Sequence, residues 1–297
     1  MKNIILILFT VFFISNLNSQ ANLLNAKNPS EIGEKQNEEE NKSLDYAEID
    51  DSDILWSKVV YEYIDLNEKL NFPLLYPTTD TDYGDTRKSL WKAIRDAIEA
   101  GEINEVYDGR NDNFLQDDIN RIMGKDSLEI KNFNLKDLYG STWSIGDSQP
   151  QQFAKSSDIV AYRTKGVWFF DKKHSELKYR LLGLMPVGKN LKSTNANEGG
   201  TGYFWLWYPQ IREILSKHKV FNDKNNNNRI SFDDLLVNRR FSSFIYKYNN
   251  VYGDREIKDY IVKRDNETDY QHQLRLLMES ERIKKEILDF EIDMWGY

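Results

Sequence analysis

The sequence predicts an α+β fold: an antiparallel β-meander with flanking helices and a long C-terminal helix. Three observations carry the prediction. From 158 to 208 apolar residues recur with a period of two, as half-buried strands require. On either side of this block the spacing changes to three and four, the repeat of an amphipathic helix. From about 268 to 295, Leu276, Ser280, Ile283, Ile287, Phe290 and Met294 repeat at 4, 3, 4, 3 and 4, a heptad seam.

Each element has its own signal. A first helix is expected over 53–70, where Leu55, Val59, Tyr63, Leu66 and Leu70 are spaced 4, 4, 3 and 4, Trp56 and Val60 widen the stripe, and Ser52 or Asp53 supplies the cap. Phe72-Pro73 stops it, and a polar loop follows over 78–85. A second helix, capped by Thr86 or Asp85, puts Leu90, Trp91, Ile94, Ala97 and Ile98 on one face and ends at Gly101, the residue that takes a left-handed conformation most cheaply. Residues 103–107 are a short strand candidate. IVAYR (159–163), VWFFD (167–171) and ELKYRLLGLMPV (176–187) read as strands, with a turn at 172–175. In the third, Leu177, Tyr179 and Leu181 face one way and Lys178 and Arg180 the other. YFWLWY (203–208) adds a strand in which Trp205 and Trp207 share a face opposite Phe204 and Leu206.

Pro209 then opens a short helix over Ile211, Ile214 and Leu215 that ends at Lys217-His218-Lys219. Ser231 with Asp234 is a capping box for a helix over Phe232, Leu235 and Leu236, and RFSSFIYKY (240–248) returns to strand. The heptad seam of the last helix, supported by the i,i+4 pair Glu281 and Lys285, is expected to dock on the chain's own sheet, with pairing to another protein as the alternative.

The N-terminal end reads as an address rather than as fold. Lys2 precedes the apolar run IILILFTVFFI (4–14) and a small-residue polar stretch, the pattern of a secretory signal peptide over 1–19 with cleavage after Ser19 or Ala21. The run is roughly half of the ~20 apolar residues a membrane span needs. Residues 20–52 read as an acidic disordered linker, since 31–53 hold ten acids against Lys35 and Lys42. The remainder, 53–297, is expected to be a single α+β globular domain.

Composition narrows the chemistry. The 297 residues carry 40 Lys and Arg against 48 Asp and Glu, a net charge of −8 that lacks the basic footprint of a nucleic-acid binder. Cysteine is absent, which excludes disulfides, thiolate nucleophiles, Cys-ligated zinc, iron–sulfur clusters and the acylated cysteine of a lipoprotein. His174, His218 and His272 stand apart, with no His-x-His or HExxH pairing, and Ser175 beside His174 falls in a hairpin turn. No catalytic residue and no cofactor is expected. DKNNNNRISFDD (223–234) overlays a calcium loop through Asp223, Asn225, Asn227 and Asp234, but Asn228 replaces the turn glycine and few ligands are charged, so a polar loop is the plainer reading. Trp168, Trp205 and Trp207 could form a sugar platform, which keeps a periplasmic glycan-binding module or glycoside hydrolase as the alternative function.

Four blocks, DILWSKVVYEYIDLNEKLNFPLLYP (53–77), KGVWFFDKKHSELKYRLLGLMPV (165–187), RISFDDLLVNRRFSSFIYKYNNVYGDREI (229–257) and ERIKKEILDFEIDMWGY (281–297), together resemble the GldN/PorN family. That resemblance implies a non-enzymatic subunit of the type IX secretion and gliding machinery. It would sit in the periplasm, associated with the outer membrane through a partner lipoprotein of the GldK/PorK type in a ring, self-associate there, and contact the periplasmic part of a motor protein of the GldM/PorM type. Buried aromatics and arginines dominate protein interfaces, which makes Trp205, Trp207, Arg239, Arg240, Phe290, Met294 and Trp295 the interface candidates.

Overall fold

The computed structural model describes residues 46, 48–79, 87–103, 105–109, 153–189, 200–220 and 230–295. The signal-peptide reading, most of the acidic linker and the Asn-rich tract 221–229 lie outside them.

The segment read as the first helix is a strand. β1 (Ile54–Asp65) pairs antiparallel with β3 (Ile159–Asp171) on one side and with β7 (Phe244–Tyr248) on the other. The reason is a degeneracy of periods: a spacing of four is even, so Leu55, Val59 and Tyr63 share a strand face as readily as a helix face. Residues 59–64 are β-branched or aromatic except Glu62, which favours the strand, and a central strand is apolar on both faces. With no helix at 53–70, Ser52 and Asp53 cap nothing of the kind; they lie in a 3-10 turn over Asp51–Asp53.

β3 and β4 (Glu176–Gly188) form the long hairpin that the period-two block foretold, although 159–163 and 167–171 belong to one continuous strand. A bulge at Lys165/Gly166 shifts its register. There a glycine is required, because a Cβ on Gly166 would lie 2.2 Å from the Tyr179 hydroxyl. β5 (Thr201–Gly202) and β6 (Phe204–Trp207) pair with the end of β4, and β2 (Tyr107–Asp108) with β6. The strand order is β2-β6-β4-β3-β1-β7, with β5 also on β4.

Helices cover one face of this antiparallel sheet. α1 (Leu90–Glu99) is N-capped by Ser89, whose Oγ accepts from the Lys92 amide at 3.0 Å, and ends at Gly101 with φ 76. The cap therefore lies three to four residues later than Asp85 or Thr86. α2 (Tyr208–Lys217) starts with Pro209, and α3 (Phe232–Val237) carries the Ser231–Asp234 capping box. These three helices pack Trp91, Ile94, Tyr208, Leu215 and Phe232 against Ile64, Tyr162, Leu184, Phe204 and Leu206.

The long helix α4 (Asp269–Trp295) covers the β1–β7 end of the same face. Its seam docks on the chain's own sheet: Ser280, Ile283 and Ile287 are buried, while Leu276 pads the cluster around Val60, Ile245 and Ile257. Phe290 stacks on Trp56 at 4.7 Å. Ser280 also closes the open edge of β7, its Oγ accepting from the Ile245 amide at 2.7 Å, and Lys284 donates to the Ser243 carbonyl at 2.6 Å. Lys284, rather than Lys285, pairs with Glu281, at 2.9 Å.

Candidate protein-interaction site

Three charged and aromatic nodes organise the molecule. The first stands at the end of α3. Arg239 takes φ 53, the left-handed residue of the helix C-terminus, and the Arg240 amide donates back to Leu235 at 2.9 Å. This geometry turns the Arg239 side chain under the sheet, where both Nη atoms donate to the Glu62 carboxylate at 2.7 Å. Glu62 lies in the middle of β1, and only 1% of its side chain is exposed. Ser243 Oγ also donates to it, at 3.2 Å. The guanidinium sits over the rings of Tyr179, Trp168 and Phe241 at 4.2, 5.2 and 5.4 Å. Burial works to lower the Arg239 pKa, and the Glu62 carboxylate more than offsets it, so the group is held above its ordinary value.

The second node joins α2, α3 and the entry of the chain. Asp233 accepts from Tyr208 Oη at 2.8 Å and from Arg212 Nε and Nη2 at 3.0 Å each, all three side chains being buried. Tyr46 lies over this pair, its ring centroid 4.2 Å from the Arg212 guanidinium and 5.0 Å from that of Arg180, with its hydroxyl donating to the Leu181 carbonyl at 3.2 Å. Tyr46 is thus held on the body ahead of β1.

Burial pushes the Tyr46 phenol up to about 12; Arg212 and Arg180 oppose the rise and Asp233 adds to it. A folded-state pKa above the unfolded value of roughly 10 means that docking stability is fully present below pH 10 and is lost as pH rises towards 12. The difference in phenolate absorbance between the protein and its Tyr46→Phe variant is expected to titrate near 12, and a midpoint near 10 would show an undocked Tyr46.

The third node lies on the other face of the sheet. Lys165 and Lys247 point their ammonium groups at the Tyr61 ring, 5.0 and 4.9 Å from its centroid, and Arg163 lies over Tyr246 at 5.1 Å. Tyr61, Lys165, Met185 and Trp205 are buried there.

Against these nodes the sequence candidates divide. Trp205 is fully buried and Trp207 half-buried on that second face, with Phe204 and Leu206 opposite in the helix-covered core. Trp168 packs on Arg239 and Tyr179. Arg239 is held inside by Glu62, whereas Arg240 is exposed. Phe290 and Met294 are half-buried along the seam side of α4, and the Trp295 side chain lies outside the described residues. Of the calcium-loop candidates, Asp223, Asn225 and Asn227 also lie outside, and Asp234 serves the capping box, accepting from Ser231 Oγ at 2.7 Å. His174 Nδ1 lies 2.7 Å from Asp171, whose carboxylate is held well below its usual range by Lys178 first and His174 second. The nodes themselves were not legible beforehand, because Glu62 and Arg239 are 177 residues apart and share no local motif.

Fold and nodes define an α+β structural module in which charged and aromatic side chains lock elements together. The chain belongs to the family of gliding motility-associated GldN proteins, whose model matches residues 49–296. That family is a component of the gliding motility and type IX secretion machinery, in the periplasm. No curated protein matches the chain, and no helix among the described residues is long and apolar enough to cross a membrane.

Proposed function

We propose that the protein is a non-enzymatic periplasmic structural subunit of the type IX secretion and gliding complex. It forms a ring with an outer-membrane lipoprotein of the GldK/PorK type and contacts the periplasmic part of the GldM/PorM-type motor. Membership of the GldN family over residues 49–296 carries this reading. The signal-peptide pattern at 1–19 supports export.

Arg240, Trp207 and the end of α4 at Met294 and Trp295 are the contact residues of this reading, since Trp205, Arg239 and Phe290 serve internal packing. Arg240→Glu alone is the informative charge reversal, because Arg240 is exposed and its change leaves the Glu62 pair intact. Tagged protein captured from solubilised envelope is expected to bring a lipoprotein in a ring-sized particle, and Arg240→Glu to fold normally yet lose that capture at least tenfold, as removal of an interface arginine worth about 1.4 kcal/mol or more would cause. A lone monomer from the unaltered protein would overturn the function, and undiminished capture by Arg240→Glu would remove that residue from the contact.

A further inference from the structure

Few groups fasten α4 to the body. Of its described side chains only Ser280, Ile283 and Ile287 are buried, a small share of a helix that runs from Asp269 to Trp295. Phe290 adds its stack on Trp56 and an edge contact with Phe170, the centroids 6.0 Å apart. Among the described residues the polar links from helix to body are Ser280 to the Ile245 amide, Lys284 to the Ser243 carbonyl, Glu286 to Lys58 and Glu279 to Tyr260. Glu286 is half in water, so its bridge adds little. An element held by so little buried surface opens at a lower free energy than the body beneath it.

The helix also carries its own supports. Thr268 Oγ1 accepts from the Gln271 amide at 3.3 Å while the Gln271 side chain accepts from the Thr268 amide at 3.0 Å, a reciprocal cap on the first turn. Arg282 bridges Glu279 and Glu286, and Lys284 bridges Glu281, all at spacings of three or four. The segment ahead of the cap bonds to itself and to the helix: Lys263 donates to Asp269 at 2.6 Å, the Arg264 amide to Glu267 at 3.0 Å, and Arg275 to Glu267 at 2.8 Å. On the other side of Val262, Ile261 pads the cluster around Val60 and its amide donates to the Ile257 carbonyl at 2.9 Å. Val262 itself is exposed, so the boundary between helix unit and body falls there.

We infer that α4 is a releasable strap: residues 263–295 swing away as one unit about Val262 while the sheet and the other helices stay folded. Release uncovers the Ile245 amide and the Ser243 carbonyl beside β7, the outer strand of the sheet, together with the apolar surface of Val60, Ile245 and Trp56. Unpaired groups on an outer strand are a template for another chain, so the closed strap withholds this edge and the open one presents it. The inference concerns the isolated chain and goes beyond the ring-subunit reading, so its failure leaves capture of the lipoprotein untouched.

Residue-resolved amide exchange of the purified exported chain tests the strap. The Ile245 amide, bonded to Ser280, is expected to exchange at least about tenfold faster than the slowest amides of β1 and β3, which open only with the whole fold. Ile287→Ala, about two helical turns from Ser280, should speed exchange at Ile245 about tenfold or more. Glu286→Gln, a change at a half-exposed group that leaves the fold intact, should speed it about two- to fivefold. Asp233→Ala loosens the body elsewhere, so it should speed the slowest β1 and β3 amides and leave Ile245 as it was, because the released state keeps that node. Exchange at Ile245 no faster than at the slowest amides would overturn the strap, as would an equal response of both to Asp233→Ala, since α4 would then leave only on global unfolding. Indifference of Ile245 to Ile287→Ala would also overturn it, the mark of fraying confined to Ser280.

Discussion

Replacing Arg239 by alanine is expected to lower folding stability by about 3–5 kcal/mol, the cost of stranding a buried charge when its partner is removed. Glu62 is the group stranded. Its carboxylate receives two 2.7 Å bonds from the guanidinium in a site closed by Tyr179, Trp168 and Phe241, and Ser243 at 3.2 Å cannot neutralise it. Arg239→Glu should be worse, since it sets two carboxylates against each other. The midpoint of urea unfolding measures the loss. Combining Arg239→Ala with Glu62→Gln should recover a substantial part of it, because the penalty lies in the unpaired charge rather than in the missing contact. A loss under about 1 kcal/mol for the single variant would show that the pair is solvated, as surface bridges are.

Asp233→Ala is the second large effect, again about 3–5 kcal/mol. The carboxylate gathers Tyr208 and both donors of Arg212, whose side chain is 8% exposed, so its removal leaves a buried guanidinium and a buried hydroxyl without their acceptor. It also removes an acid from the first turn of α3, where the helix dipole favours one. Asp233→Asn keeps one acceptor and should cost less. Arg212 positions the Tyr46 ring, so in Asp233→Ala the Tyr46 phenol should titrate closer to its ordinary value than in the parent. Thermal unfolding of the two variants, with the phenolate titration, distinguishes a local loosening around Tyr46 from a general loss of fold.

The two nodes explain why the sequence was informative about elements and silent about the site. α1, α2, α3 and the β3–β4 hairpin are declared by short-range signals: the Ser231–Asp234 box, Pro209 at a helix start, Gly101 past a helix end, and alternation through 176–181. Such signals act between residues a few positions apart. The strand β1 was misread because its apolar residues satisfy both periods, and only its placement between β3 and β7 removes the ambiguity. Arg239 and Arg240 look alike in the chain, but the left-handed turn after α3 sends one under the sheet to Glu62 and leaves the other in water.

The helix α4 shows the same division within one element. Its heptad spacing determined that it would be a helix with an apolar seam, because side chains three and four apart necessarily share a face. Which of its faces turns inward depended on what the sheet offered: Val60, Ile245 and the Trp56 ring accept Ile283, Ile287 and Phe290, and Ser280 Oγ accepts from the Ile245 amide of β7. The sequence by itself determined the α+β class, the family and the local stops and starts, all of which rest on neighbouring residues. Tertiary structure alone decided the Glu62–Arg239 and Arg212–Asp233 pairs and the face that α4 turns inward, since a buried charge or an apolar face acquires its partner only when distant segments are brought within a few ångströms.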